Sequence, residues 1–508
     1  MKSRCIKALE RIFWLSDKDG DGILNDEELN EFQKKSFNVE LSKQEIKEIK
    51  KMVEGSEEAA GISKEGFDKL FRQFIQRGRV ETTWMVLRKF GYDGDGVELR
   101  REREELQEVM AMREEEDLTN AENRQTVVEL SAEGVLFITE IFRRFDRDND
   151  AALNRHELDN LYRPLPRHLK AQVEASEYQG KVVVPTNQAG NITLQGWLAL
   201  WNFKTYSEWS DSLRQLIYLG YPKHIKTAIK ITNRTMFCLP PLSTSSNLNS
   251  TFNPNSTSTS TSTSTSTSIL AKTRAAQKKA AATVSVVYVI GPPNSGKSSL
   301  LKAFVKRPFS EKYEPTHEIT TYVNTVEVNS HQHCLILYEF GPYTKKVLNN
   351  SADMACCDLL VFAYDVNDPS SFSYIEDLRA TNYKHVLDHF PSLFVGLKAD
   401  LPFALQSSAS DTQPSDYITS LPLPASSLFF LSSRFPSQNF NDLFPSNPAH
   451  PNLVAAVWQP MCVQQYTVPV PTQAADQDSR QSVYCPQVLP EAPILAVDRA
   501  SRDPTALD

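Results

Sequence analysis

The residues Gly291-Pro-Pro-Asn-Ser-Gly-Lys297-Ser298 fit the spacing G-x-x-x-x-G-K-[ST]. They follow an apolar strand-like run, Val284 to Ile290, and open a helix-like run, Ser299 to Val305. A loop in that setting curls its N–H groups around phosphate oxygens, and the helix start behind it adds a positive dipole end. Gly291, Asn294, Ser295, Gly296 and Ser299 would supply backbone to this cradle. Lys297 would reach the β- and γ-phosphates, and Ser298 would ligate Mg²⁺. Thr316, in Tyr313-Glu-Pro-Thr316, lies where a second hydroxyl could reach the same ion. In Leu397-Lys-Ala-Asp400, Asp400 could accept both hydrogens of a guanine edge while Lys398 lies across the ring. Leu397 cannot make the polar base contact of an Asn or Thr, and Ser432-Ser433-Arg434 could close backbone over the base. The expected ligands are GTP or GDP with Mg²⁺; an ATP site would need different base contacts. Tyr338 is expected to take the place of the metal-facing Asp of phosphoryl-transfer switches, with Glu339 beside it. Pro342 follows Gly341 where a water-orienting Gln would stand, so hydrolysis is expected to be slow. Incomplete transition-state stabilisation costs such switches roughly 10⁵-fold.

Asp17 to Glu28 carries oxygen donors at the spacing of a twelve-residue calcium loop. Asp17, Asp19 and Asp21 stand at positions 1, 3 and 5, Ile23 offers its carbonyl at 7, Asn25 stands at 9 and Glu28 at 12. Gly22 at position 6 permits the sharp turn. A second loop keeps Asp146, Asp148, Asp150, the Ala152 carbonyl, Asn154 and Glu157, but Ala151 replaces the glycine. A Cβ at positive φ costs about 1 kcal/mol, so weaker calcium binding is expected there. Asp93-Gly-Asp-Gly lacks the full alternation and reads as a turn.

These loops belong to a duplicated helical unit. Asp17 recurs as Asp146, Ile62-Ser-Lys-Glu-Gly-Phe67 as Ile192-Thr-Leu-Gln-Gly-Trp197, and Gly91-Tyr92 as Gly220-Tyr221. Matches in one register mean two copies of one unit. Ser42 and Glu45 form a capping-box pair, and Phe67, Leu70, Phe71 and Phe74 make a helical apolar stripe. Residues 98–117 are densely charged and read as a solvated helix. Beyond the loops the period changes: Val284–Ile290, Val323–Val328, Cys334–Tyr338, Leu359–Val366, Leu393–Leu397 and Leu428–Leu431 read as strands. Strands alternating with helices imply a mostly parallel sheet covered on both faces. The Ser/Thr tract at 256–268 buries nothing and reads as a flexible linker, which argues for weak mechanical contact between the halves.

The 508 residues allow about three or four domains. The expected divisions are 1–92 and 129–238 for the two helical modules, 93–128 for a charged connector, 239–282 for the linker, 283–457 for the α/β domain and 458–508 for a disordered tail. A net charge of −8 argues against a nucleic-acid binder. Seven scattered cysteines argue against a disulfide framework or zinc site, and neither a secretory signal nor an apolar membrane span is visible.

Two calcium loops, each followed by a Gly-aromatic segment, then the phosphate loop, Val323-Asn-Thr-Val-Glu-Val328 and Leu397-Lys-Ala-Asp-Leu401: this order resembles the mitochondrial Rho GTPases, the Miro family. The resemblance covers about residues 1–235 and 283–457. It implies a multidomain chain in which all-α paired EF-hand modules precede an α/β Ras-like P-loop GTPase domain. It further implies a calcium-binding GTPase at the mitochondrial outer membrane, acting in mitochondrial shape, inheritance and transport through motor-adaptor or tether proteins. The family pattern also holds an N-terminal GTPase domain and a C-terminal membrane anchor; this chain is expected to lack both, which would make it cytoplasmic. Besides a calcium-regulated GTPase, the residues leave open a calcium-sensing scaffold with a degenerate nucleotide domain.

Overall fold

A computed structural model gives the architecture. It describes residues 3–93, 98–119, 124–170, 181–235, 283–328, 331–380, 387, 390–407, 413–421 and 427–433. The Ser/Thr tract, Arg434 and the expected tail lie outside the described residues.

The first helical module comprises α1 (Ser3–Ser16), β1 (Ile23–Leu24), α2 (Asp26–Phe37), α3 (Lys43–Glu54), β2 (Ile62–Ser63), α4 (Lys64–Gln76) and α5 (Val80–Lys89). Strand β1 pairs with β2, so the calcium-type loop is braced by the loop of the next helix pair. Phe13, Phe32, Phe67 and Phe71 fill the core, with Phe67 centroids 5.6 Å from Phe13 and 5.3 Å from Phe32. Asn25 with Glu28 and Ser42 with Glu45 form capping boxes, each satisfying orphan N–H groups at a helix start.

A short hairpin, β3 (Tyr92–Asp93) with β4 (Glu98–Leu99), leads into α6 (Arg100–Thr119). The charged stretch is more than a solvated connector. Leu106 and Val109 enter the core, and Arg101 and Glu102 on this helix bind Tyr221 O and the Tyr218 hydroxyl of the next module. Its charges are therefore partly anchoring groups between the two copies.

The second module comprises β5 (Arg124–Leu130), α7 (Ala132–Phe145), β6 (Ala152–Leu153), α8 (Arg155–Leu161), β7 (Val182–Val183), β8 (Ile192–Thr193), α9 (Leu194–Ser207), α10 (Trp209–Tyr218) and β9 (Ile229–Thr235). The β6–β8 pair repeats β1–β2 in the register the duplication predicts. The β5–β9 ribbon was not expected from the helical reading. Buried Glu129, on β5, accepts the N–H groups of Thr283 and Val284 at 2.8 and 2.9 Å and pairs with Lys230 at 3.0 Å. The ribbon thus holds the first residues of the next domain.

That domain comprises β10 (Val284–Ile290), α11 (Lys297–Phe304), β11 (Thr320–Val328), β12 (His331–Glu339), α12 (Thr344–Leu348), α13 (Ser351–Ala355), β13 (Leu359–Asp365), α14 (Ser373–Ala380), β14 (Ser392–Leu397), α15 (Pro414–Ser420) and β15 (Ser427–Leu431). The sheet order is β15-β14-β13-β10-β12-β11-β7, with only the β11–β12 pair antiparallel. Strands β10, β13 and β14 are buried along their whole length, as unbroken apolar runs in a parallel sheet should be. Val286, Tyr288 and Ile290 pack in one apolar cluster and Val287 and Val289 in another, so both faces are covered.

The last strand in that order corrects an expectation. Strand β7 belongs to the second helical module, yet Val182 and Val183 pair with Thr321 and Tyr322 of β11. Ala199 and Leu200 of α9 join the apolar cluster on one sheet face. The expected weak contact does not hold, because a strand of one part extends the sheet of the other and a helix packs on its face.

Candidate functional site

Below β10 the chain turns at Gly291, where a Cβ would lie 2.0 Å from the carbonyl oxygen of Ala363 on β13. Glycine is required because the neighbouring backbone passes so close. The loop ends at Gly296 (φ +98°), and α11 starts at Lys297. Gly291, Asn294, Gly296, Lys297, Ser298, Ser299, Thr316, Lys398 and Asp400 line one cavity of about 630 Å³, and Ser295 is buried beside it. The structure therefore brings the expected nucleotide residues together.

Lys297 Nζ donates to Pro292 O at 2.6 Å and to Ser295 Oγ at 3.3 Å. Burial pulls its pKa down to about 8, and the charge of Glu339 opposes that fall. A buried ammonium held by a carbonyl and a hydroxyl is set up for a polyanion, which satisfies the fit for phosphate.

The metal side differs from expectation. Glu339, not Tyr338, faces the site: it is only 2% exposed and its Oε1 accepts from Ser298 Oγ at 2.7 Å and Thr316 Oγ1 at 3.1 Å. Tyr338 points to the other sheet face and stacks on Phe340 at 6.0 Å. Strand alternation is the reason, since neighbours on β12 face opposite ways. Ser298, Thr316 and Glu339 make a compact set of hard oxygen donors, the chemistry that suits Mg²⁺ beside phosphates. Tyr322 adds its hydroxyl 3.5 Å from Glu339 Oε2.

At the other end, Asp400 Oδ1 accepts from Ser432 Oγ at 2.7 Å, and Lys398 Nζ pairs with Asp365 Oδ2 at 2.6 Å. Ser432 and Asp365 were not singled out as side-chain partners by spacing; each acts by holding an expected residue in place. Leu397 is buried, and its Cδ1 lies 3.5 Å from where a Gly296 Cβ would stand, so it packs under the phosphate loop. Ser433 lines the cavity.

In the first calcium-type loop the ligand oxygens of Asp17, Asp19 and Asp21 lie within 4.8 Å of one another. Asp17 is 1% exposed and its Oδ1 has no hydrogen-bond partner. Its pKa is pushed up to about 6, chiefly by burial; the Gly22 N–H opposes this, and Glu28, Asp21 and Asp19 reinforce it. An orphaned, buried carboxylate oxygen among like charges fits a cation. Glu28 Oε1 accepts from the N–H groups of Lys18 and Asp19 at 2.5 and 3.1 Å. Ile23 is fixed by the β1–β2 pair, and Asn25 caps α2.

The second loop repeats this plan. Asp146, Asp148 and Glu157 bring oxygens within 4.8 Å, and Asp146 Oδ1 is likewise buried and unpartnered. The Asp146 carboxyl is also raised, first by burial and then by Glu157. Ala151 adopts φ +62°, the strained conformation expected, and Ala152 is fixed by pairing with Thr193. Asp150 accepts amide donors from Asn187 at 3.2 Å and Asn191 at 3.5 Å. Asn154 caps α8.

Comparison with known proteins agrees with this layout. Residues 39–115 and 176–237 match two "EF hand associated" family models, and 286–418 match the "Ras family" model. The chain is 34% identical over 469 residues to mitochondrial Rho GTPase 1 of Cryptococcus neoformans, covering 84% of this chain and 61% of the relative. It is 35% identical over 430 residues to the protein of the same name from Neurospora crassa, covering 84% and 60%. The Aspergillus oryzae protein is 37% identical over 434 residues, covering 84% and 61%. The chain thus has homologues among mitochondrial Rho GTPases and spans about three-fifths of their length. EF-hand-associated helical modules followed by a Ras-like domain are its architecture. No described helix is long and apolar enough to cross a membrane.

Proposed function

We propose that this protein is a calcium-binding GTPase of the mitochondrial Rho type, a switch whose Ras-like domain holds GTP or GDP with Mg²⁺. The observation that carries the reading is the two-ended cavity. Lys297, Ser298, Thr316 and Glu339 stand at its phosphate end, and Lys398 and Asp400, with their holders Asp365 and Ser432, at its base end. Lys297 would hold the phosphates, Ser298 and Thr316 would hold Mg²⁺ with Glu339 fixing both hydroxyls, and Asp400 would read guanine. Bound Mg²⁺ would neutralise phosphate charge and orient the terminal phosphoryl group. Hydrolysis is slow in this reading because Pro342 offers no donor to orient water. The two loops would take calcium through Asp17, Asp19, Asp21, Asn25 and Glu28, and through Asp146, Asp148, Asp150, Asn154 and Glu157, with the Ile23 and Ala152 carbonyls.

The homologues' name supports a mitochondrial association. Action in organelle shape, inheritance and transport at the outer membrane's cytosolic face, with motor adaptors or tethers as partners, is a further proposal that rests on the family resemblance of the sequence. A calcium-sensing scaffold with a lapsed nucleotide domain is favoured only by Leu397 and Pro342. The two readings separate in a competition experiment with fluorescent mant-GTP on the full chain. The switch reading expects displacement by GTP and GDP but not ATP, and loss of binding in Lys297→Ala. A folded chain that binds no nucleotide would leave the scaffold.

A further inference from the structure

Two arginines of the second helical module grip the first calcium-type loop. Arg144 Nε donates to Lys18 O at 2.8 Å, and its Nη2 donates to Asp17 O. Arg147 Nη2 donates to Asp19 O at 2.6 Å. The acceptors are consecutive backbone carbonyls, so the contact positions main chain, and the carboxylates of Asp17, Glu28 and Asp19 attract the Arg144 guanidinium as well. On the N–H side of the same segment, Lys18 and Asp19 donate to Glu28 Oε1. Residues 17–19 are therefore clamped between the second module's guanidinium groups and their own loop's last carboxylate.

Arg147 also belongs to the second loop, at its second position. Its backbone N–H donates to Glu157 Oε1 at 2.8 Å. A cation in that loop would recruit the position-12 carboxylate, the same group that the Arg147 main chain holds, while the Arg147 side chain spans to Asp19 O. One residue thus touches the last ligand of one loop and the backbone of the other.

We propose that Arg147, supported by Arg144, couples the two calcium loops, so that filling the second raises the affinity of the first. A cation fixes the second loop and with it the anchor of the Arg147 side chain. The guanidinium then holds the Asp17–Asp19 segment with less freedom to lose, and the first loop pays less ordering entropy when it binds. By linkage, filling the first loop raises the affinity of the second by the same factor. The inference rests on the reading that both loops take calcium.

The test is calorimetric titration of the calcium-stripped full chain and of Glu28→Gln and Glu157→Gln, each of which leaves one loop intact. The product of the two binding constants of the unsubstituted chain should exceed the product of the single-loop constants by about fivefold or more. In the Arg147→Ala background both loops should still bind and that excess should fall to about one. A ratio of one or below in the unsubstituted chain, or an excess that survives Arg147→Ala, overturns the coupling. Absence of calcium binding by the unsubstituted chain overturns the calcium reading itself. Arg147 is exposed, and circular dichroism checks each variant's fold; Arg147→Gln reads the same ratio should the alanine variant be misfolded.

Discussion

The two helical modules descend from one pattern and have been put to different uses. In the first, the loop has Gly22 at φ +87° and a fully buried Asp17. In the second, Ala151 takes the same turn at φ +62°, and Asp150 is held by two asparagine amides. The first copy puts phenylalanine at 67; the second puts Trp197 there, with Nε1 donating to Ile138 O at 2.9 Å. Among the described residues, only the second copy lends a strand, β7, to the nucleotide domain's sheet and packs part of a helix, α9, on its face. The difference teaches that a duplicated unit can keep the spacing of its acidic loop in both copies while one copy becomes structural support for a neighbour.

The sharpest way to break this contrast is at the paired aromatic positions. Trp197→Ala and Phe67→Ala should each cost about 3–5 kcal/mol of unfolding free energy. Chemical denaturation followed by circular dichroism measures that cost. Only Trp197→Ala should also weaken mant-GTP binding, because α9 packs on the sheet. Equal effects on nucleotide affinity would mean that docking is not special to the second copy.

Next come the glycines at the start of the matching helices. A Cβ at Gly196 would meet the Pro185 carbonyl oxygen at 2.1 Å, whereas at Gly66 it would meet the Glu54 carboxylate at 2.0 Å. A backbone atom cannot swing away, but a side-chain end can. Gly196→Ala should therefore lose about 1–3 kcal/mol of stability, and Gly66→Ala distinctly less, in the same unfolding measurement.

The loops themselves are compared by calcium titration. Glu28→Ala should lower total calcium affinity more than Glu157→Ala, by about tenfold, or about 1.4 kcal/mol. Equal losses would mean that the alanine turn is harmless. The smallest effect is the repair: Ala151→Gly removes strain of about 1 kcal/mol and should tighten the second loop by about fivefold.

What was legible in the sequence follows from how local each signal is. The phosphate loop, both calcium-type loops and the strand runs of the α/β domain each lie within a few contiguous residues, and the duplication was visible as three matches in one register. Glu339 was obscured because a motif template gives position along the chain, whereas strand alternation decides which neighbour faces the site. Strand β7 is two residues long, too short for a periodic signal, and its partner β11 lies far along the chain. The β5–β9 ribbon hid in segments flanked by strong helical patterns. Arg144 and Arg147 carry no signal in the sequence, since their acceptors are carbonyls of the other module.

The central claim is that Ser298, Thr316 and Glu339 make the metal side of a guanine-nucleotide site. It is tested most directly by measuring mant-GTP affinity of the full chain with and without Mg²⁺, for the unsubstituted protein and Glu339→Ala. The account predicts that Mg²⁺ tightens GTP binding at least tenfold, about 1.4 kcal/mol, and that Glu339→Ala removes most of this gain while retaining Mg²⁺-free binding. Affinity indifferent to Mg²⁺, or a gain unchanged in Glu339→Ala, would contradict it.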